Sequence, residues 1–450
     1  MCGILKILAF LLILEPSLAQ YTANWTSLDS RPLPLWYDEA KFGIFVHWGV
    51  YSVPAFANEW FWYYWNFTAI DFDADVFAGI IKSSGAKYIV LTSKHHEGFT
   101  LWPSKQSWGW NAVDVGPARD LLGEVRNAIL KVGGIHWGTY FSLLDWFHPL
   151  YLADEANNGN TSNYVQQVSY PQLLDLVNNY QPDVIWADGD WGPGMDENYY
   201  KSKEFLAWLY NESPVKNTVA VNDRWGDGVA CNHGGYFTCE DHYNPGQLQT
   251  RKWEDSDTLD GAGPYGYRRT IRVAITRLVQ VISKGGNYLL NIGPDSNGRV
   301  LPLFEQRLIE IGNFVRAHDE AIFKTKPWIF QNDDSLNTSS VWYTSQLRNT
   351  TGLDPYRLYN PQQQQNTIVY AFVVNWPDNN KVNLTKVIPT SSTVVNLFGA
   401  NNQSIPMTYT QQSGGIQIDI SGLSLTKFPS TDVFVLKIEY AADQNVNPIG

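Results

Sequence analysis

The chain has 450 residues, of which 44% are hydrophobic and 17% charged, a globular composition with room for more than one domain. Its formal net charge of −12 at pH 7 argues against a nucleic-acid partner, because phosphate backbones select basic faces. Aromatic residues reach 14%, with 19 Trp; such rings fill cores, and they also line clefts that hold apolar faces of ligands.

In chain order, "MCGILKILAFLLILEPSLAQ" places a lysine before the apolar run Ile7 to Leu14, then small residues at Ser17 and Ala19. Residues 1–19 read as a secretory signal peptide cut after Ala19. The run is too short to span a membrane, and no later segment has the length of a span. The expected location is the secretory pathway, ending in the lysosome or outside the cell. Cys2 leaves with the signal, so Cys231 and Cys239 in "CNHGGYFTC" are expected to pair as a disulfide in an oxidising compartment. Sequons for N-glycosylation occur at Asn24, Asn66, Asn160, Asn211, Asn337, Asn349, Asn383 and Asn402.

Apolar runs ending in polar or aromatic residues then recur: "FGIFVHWG" (42–49), "YIVLTSKHH" (88–96), "HWGTYFSLLDW" (136–146), "PDVIWADG" (182–189), "NTVAVNDRWG" (217–226), "GYFTCED" (235–241) and "GNYLLNIGP" (286–294). Helix-like segments separate them, among them 118–134, 170–180, 201–210, 268–286 and 303–322. This alternation predicts an α/β fold, a (β/α)8-like barrel over residues 20–334, with a doubly wound open sheet as the alternative. The barrel is favoured because His47, His95, His96, Tyr140, Trp186, Asp188, Arg224, Glu240 and Asp241 all fall at C-terminal strand ends, the face where barrel active sites gather. Beyond "KTKPW" the texture changes to short strands with Asn, Gly and Pro between them, which predicts an antiparallel β-sandwich over 335–450.

Two stretches carry chemistry. In "LTSKHHEGF" (91–99) adjacent His95 and His96 point to opposite faces of a strand unless it kinks, which disfavours one shared metal ion. No HExxH or CxxC accompanies them, although a metal-dependent hydrolase around His95, His96 and Glu97 stays open. "DVIWADGDWG" runs an apolar strand into Asp188 on a glycine turn. A carboxylate there is costly unless paired or used, and a retaining glycosidase uses one as nucleophile with a second carboxyl about 5–5.5 Å away. An Asp capping a helix in a βα loop is the bland alternative.

"FGIFVHWGVYSVPAFANEW", "YIVLTSKHHEGFTLWPS", "VIWADGDW", "VNDRWG", "GGYFTCED", "RKWE" and "GGNYLLNIGP" together resemble the alpha-L-fucosidases of glycoside hydrolase family 29, most of all the animal lysosomal and secreted type. The resemblance spans nearly the whole mature chain and implies a barrel-like catalytic domain followed by a β-sandwich. It implies Asp188 as the nucleophile and His47, Glu59, Trp60, His95, His96, Tyr140, Trp186 and Arg224 as fucose contacts, with a kink letting both histidines reach the sugar. Asp241, Glu240 and Glu254 are the acid/base candidates, Asp241 preferred. Ser256 departs from the family, which often has Cys there. Fucosylated glycans are the implied partners, no metal or organic cofactor is implied, and a homo-oligomer is compatible with the resemblance. A fucose-binding lectin on the same scaffold is the non-enzymatic alternative.

Overall fold

Seven parallel strands form the first sheet in a computed structural model of the chain, which describes residues 20–52, 67–259, 270–333, 340–430 and 432–449. The expected signal peptide lies outside the described residues, as do Glu59, Trp60, Asn66 and Asn337. The strands are β1 (Phe42–Val46), β2 (Tyr88–Lys94), β3 (His136–Ser142), β4 (Val184–Asp188), β5 (Ala220–Val221), β6 (Trp253–Thr258) and β7 (Gly286–Ile292). They lie in the order β5-β4-β3-β2-β1-β7-β6. The edges β5 and β6 are joined through residues 236–237. The Tyr236 N–H donates to Val221 O at 3.1 Å, Phe237 N–H to Lys252 O at 2.9 Å, and Glu254 N–H to Phe237 O at 2.8 Å. This short bridge closes the curled sheet where the sequence predicts a full strand at 235–241.

The strands read as apolar runs because both faces are covered. Their two-residue alternation sorts side chains between two clusters. Phe45, Tyr88, Val90, Tyr140, Val184, Trp186 and Leu289 fill the barrel interior. Ile44, Val46, Ile89, Leu91, Ile185, Ala187, Leu290 and Ile292 pack outward. Gly43 opens interior space: a Cβ there would lie 2.4 Å from the Tyr88 ring. The outward residues meet helices such as Leu121–Val132, whose Leu121, Leu122, Val125, Ala128 and Ile129 are buried at helical spacing. Asp120 caps that helix, accepting the Gly123 N–H, and Gly133 ends it at φ 66°. Strand β6, "WEDSDT", is absent from the apolar runs because half its side chains are carboxylates. Each finds a partner only in the folded barrel.

Among the described residues the second unit has nine strands: β8 (Lys326–Asn332), β9 (Val341–Leu347), β10 (Thr367–Val373), β11 (Lys381–Leu384), β12 (Val394–Gly399), β13 (Gln403–Met407), β14 (Tyr409–Gln412), β15 (Gly415–Asp419) and β16 (Phe434–Glu439). They form a six-stranded sheet, β13-β12-β16-β10-β9-β8, and a three-stranded one, β11-β15-β14. The predicted boundary at 334/335 falls after β8, but β8 pairs with β9 and so belongs to this unit. Strand β10 is buried on both faces: Val369, Ala371 and Val373 enter the sandwich core, while Tyr370 and Phe372 pack with the barrel. The Tyr370 hydroxyl and the Lys437 ammonium both bond Glu320 at 2.7 Å. The sandwich thus braces the barrel from the side, and none of its described residues lines the cavity at the barrel's C-terminal end.

Candidate active site

Strand β4 sends Val184, Trp186 and Asp188 to the interior in turn, so Asp188, its last residue, emerges at the mouth. The chain turns at once through Gly189, at φ 72°, where a Cβ would meet Leu144, Ser142 Oγ and His96 Nδ1. The Asp188 carboxylate accepts from the Tyr140 hydroxyl at 2.8 Å and from Arg224 Nη1 at 3.1 Å, with His96 Nε2 3.6 Å away. It opens into a cavity of about 390 Å³.

His47, His95, His96, Tyr140, Trp186 and Arg224 all line that cavity with Asp188. Both histidines of 95–96 arrive because the β2–β3 register shifts between Thr92 and Lys94 and the strand ends there. Lys94 turns away, donating to Tyr164 Oη at 2.9 Å and Gln172 Oε1 at 3.3 Å, and burial pulls its pKa down to about 7. Burial and the facing His95 lower the pKa of His47 to about 4 and hold that of His96 well below the usual value. Both are therefore neutral hydrogen-bonding groups over most of the acid range. His96 Nδ1 sits 2.8 Å from Ser142 Oγ, whose own hydrogen goes to Leu144 O, and His47 Nδ1 sits 2.8 Å from Asn291 Oδ1. Against the Asn291 carbonyl oxygen His47 Nδ1 carries the proton, which leaves its Nε2 as an acceptor, whereas His96 Nε2 faces Asp188 and the Tyr140 hydroxyl oxygen.

Arg224 joins two carboxylates. Its Nη1 meets Asp188, its Nη2 meets Asp241 at 2.8 Å, its Nε donates to Thr238 Oγ1, and its plane lies over the Trp186 ring at 4.6 Å. Burial opposes its charge, but Asp188 and Asp241 outweigh that and raise its pKa further. Neighbouring Asp223 fastens the loop that carries Asp241, accepting the N–H groups of Cys231, Thr238 and Cys239. Cys231 and Cys239 form the predicted disulfide, with Cα atoms 4.8 Å apart.

The three acid/base candidates separate. Asp241 lines the cavity with its side chain 73% exposed. Glu240 is exposed and lies outside the lining residues. Glu254 is fully buried on the barrel floor beneath Trp186 and lies outside the cavity lining. Its oxygens accept from Tyr37 Oη and Tyr88 Oη at 2.6 Å and from Trp186 Nε1 at 2.9 Å. Burial pushes its pKa up to about 7.

The lining also includes residues that sequence reasoning did not single out: Tyr51, Trp146, Trp191, His242, Asp257 and Asn291. Asn291 and Trp191 sit inside quoted motifs, Asn291 two residues beyond interior Leu289 on β7. Asp190 lies behind the Gly189 turn, where burial and Asp188 raise its pKa to about 7. Among the sequons, Asn24, Asn160, Asn349, Asn383 and Asn402 are exposed. Asn211 is not: both its amide hydrogens are given, to Tyr21 O and Ala207 O, so a glycan there would displace one.

Comparison with known proteins meets this geometry. The alpha-L-fucosidase family model matches residues 12–70 and 65–320, and the alpha-L-fucosidase C-terminal domain model matches 331–439. The tissue alpha-L-fucosidase of Rattus norvegicus is 44% identical, with 93% of this chain and 92% of that protein covered. The plasma alpha-L-fucosidase of the same species is 43% identical, over 91% and 92%. The crystal structure of the Thermotoga maritima alpha-fucosidase in complex with fucose superposes with a TM-score of 0.73 at 27% identity, covering 93% of this chain and all of that one. Barrel, sandwich and sequence agree, and the chain belongs to the alpha-L-fucosidases, glycoside hydrolase family 29.

Proposed function

We propose that the chain is a retaining exo-glycosidase that removes terminal alpha-L-fucose from glycoproteins, glycolipids or oligosaccharides through a covalent fucosyl ester on Asp188. The observation that carries this reading is the Asp188–Arg224–Asp241 bridge at the cavity. Asp188 on Nη1 and Asp241 on Nη2 share one guanidinium and both line the cavity, so nucleophile and acid/base can face one bound sugar.

In the first step an Asp188 oxygen attacks the anomeric carbon, the bond to the leaving oxygen breaks, and Asp241 gives that oxygen its proton. In the second, water attacks the same carbon, Asp241 takes its proton, and the ester to Asp188 breaks. The Tyr140 hydroxyl and Arg224 hold the attacking carboxylate in line. Neutral His47 presents an Nε2 acceptor to a fucose hydroxyl; His95, His96 and Trp186 complete the walls. A metal-dependent reading around His95, His96 and Glu97 has less support, since among the described residues the three do not bring their ligand atoms together, and the group that does, Asp223 with Cys231 and Cys239, has its thiols tied in the disulfide.

We also assign the protein to the secretory pathway, lysosome or exterior. The names of its tissue and plasma relatives support this. No helix among the described residues is long and apolar enough to cross a membrane.

Product stereochemistry tests the proposal. Proton NMR during hydrolysis of 4-nitrophenyl alpha-L-fucoside should show alpha-L-fucose first, before mutarotation. Beta-L-fucose as the first product would replace the covalent route with direct displacement by water.

A further inference from the structure

One wall of the cavity mouth is aromatic and partly in water. Trp191 lines the cavity and is still 46% exposed. Phe147, on the loop after β3, is 45% exposed, and Trp146 before it lines the cavity. A large ring left half in water, as Trp191 is, forfeits burial free energy, and beside a cleft it marks a surface that meets a ligand.

These rings are held in place. The Tyr200 hydroxyl donates to Gly189 O at 3.0 Å, the Met195 N–H to Gly192 O at 3.1 Å, and the Asp227 N–H to Met195 O at 3.0 Å, which fastens the Trp191 loop on both sides. Trp191 and Trp146 both contact the His96 ring, at 5.1 and 4.8 Å between centroids. Phe147 continues from Trp146, the rings 6.5 Å apart, with its N–H donated to Asp145 at 3.1 Å.

We propose that Trp191, extended by Trp146 and Phe147, is the binding platform for the sugar that carries the fucose, an aldohexopyranose whose C–H face lies on the indole. The inference rests on the fucosidase reading and adds the leaving-group side to it. Around Asp188 the groups are polar and suit the fucose hydroxyls. An exo-acting site directs the leaving oxygen outward, so the next ring reaches the mouth, where the aromatic wall stands. A pyranose buries axial C–H groups against an indole and keeps its hydroxyls in water. Stacking of this kind adds affinity for a second ring without reading which hydroxyl bears the fucose, so the platform serves several linkages.

The test compares alpha-L-fucosyl fluoride, whose leaving group is one atom, with fucosyl-alpha-1,2-galactose and fucosyl-alpha-1,3-N-acetylglucosamine. Trp191→Ala should lower kcat/KM for both disaccharides by about tenfold more than for the fluoride, chiefly through KM, with partial recovery in Trp191→Phe. Phe147→Ala should act in the same direction more weakly. Equal losses on the fluoride and the disaccharides would make Trp191 a brace for His96 and overturn the platform; so would no loss on any substrate. If the wild type leaves the fluoride and both disaccharides intact, the fucosidase reading itself falls, an outcome distinct from an unchanged substrate ratio.

Discussion

Asp188 and Glu254 both stand inside the barrel and both accept hydrogen bonds from aromatic side chains, yet their surroundings make them opposites. Asp188 faces a cavity and has Arg224 against it. Glu254 is sealed among Tyr37, Tyr88 and Trp186, and no ion pair reaches it among the described residues. Donors alone do not offset the burial of a charge, so its pKa is pushed up to about 7. A counter-ion and an opening to solvent, rather than residue type or motif, separate the carboxylate at the mouth from the one that holds the floor.

The largest effect expected from breaking this contrast is at the mouth. Asp188→Ala should lower kcat on 4-nitrophenyl alpha-L-fucoside by on the order of 10³-fold or more, with the fold intact by circular dichroism. Asp241→Asn should cost roughly 10²-fold on fucosyl disaccharides and much less on the 4-nitrophenyl substrate, whose leaving group needs little protonation. A loss that is equal for both leaving groups would remove Asp241 from proton transfer.

Smaller effects should follow behind the site. Replacing Cys231 and Cys239 by Ser opens an eight-residue separation and should destabilise by about 2–3 kcal/mol in chemical denaturation. It should also loosen the loop that carries Asp241. Smallest in activity should be Glu254→Gln, with kcat within about threefold of wild type. Its signature is in pH. A carboxyl with its pKa raised to about 7 in the folded state, against about 4.3 unfolded, contributes stability that is present below the unfolded value. That contribution is lost as pH rises through the folded one. Wild-type Tm should therefore fall between about pH 4 and 7 by an increment that Glu254→Gln lacks. Parallel Tm profiles would contradict the buried-acid account, and a collapse of kcat in this variant would restore Glu254 to the chemistry.

The sequence made some of this legible and hid the rest. The phase of β4 is readable because Val184, Trp186 and Asp188 alternate with Ile185 and Ala187, and only the first set can face the interior. The convergence of His47, Tyr140 and Arg224 follows from their places at strand ends. Strand β6 is hidden because "WEDSDT" looks like a surface loop. Its carboxylates are matched by distant residues: Glu254 by Tyr37 and Tyr88, Asp255 by Arg277, Asp257 by His242 and Tyr288. With β6 unread, the depth of Glu254 could not be judged, and it stayed among the acid/base candidates behind Asp241. The eighth strand shrinks to the bridge at 236–237 for a related reason: positions 231 and 239 both take positive φ around the disulfide, and the rest of 235–241 follows that loop. The β8 boundary is missed because Lys326–Asn332 is apolar enough to close either unit.

The measurement that bears most directly on the central claim is azide rescue of Asp188→Gly. With the carboxylate gone and Asp241 intact, azide added to the variant with 4-nitrophenyl alpha-L-fucoside should restore 4-nitrophenol release and yield beta-L-fucosyl azide, because the anion enters from the face that Asp188 occupied. No rescue while wild-type folding is retained, or alpha-L-fucosyl azide as the product, would contradict the assignment of Asp188 as the nucleophile.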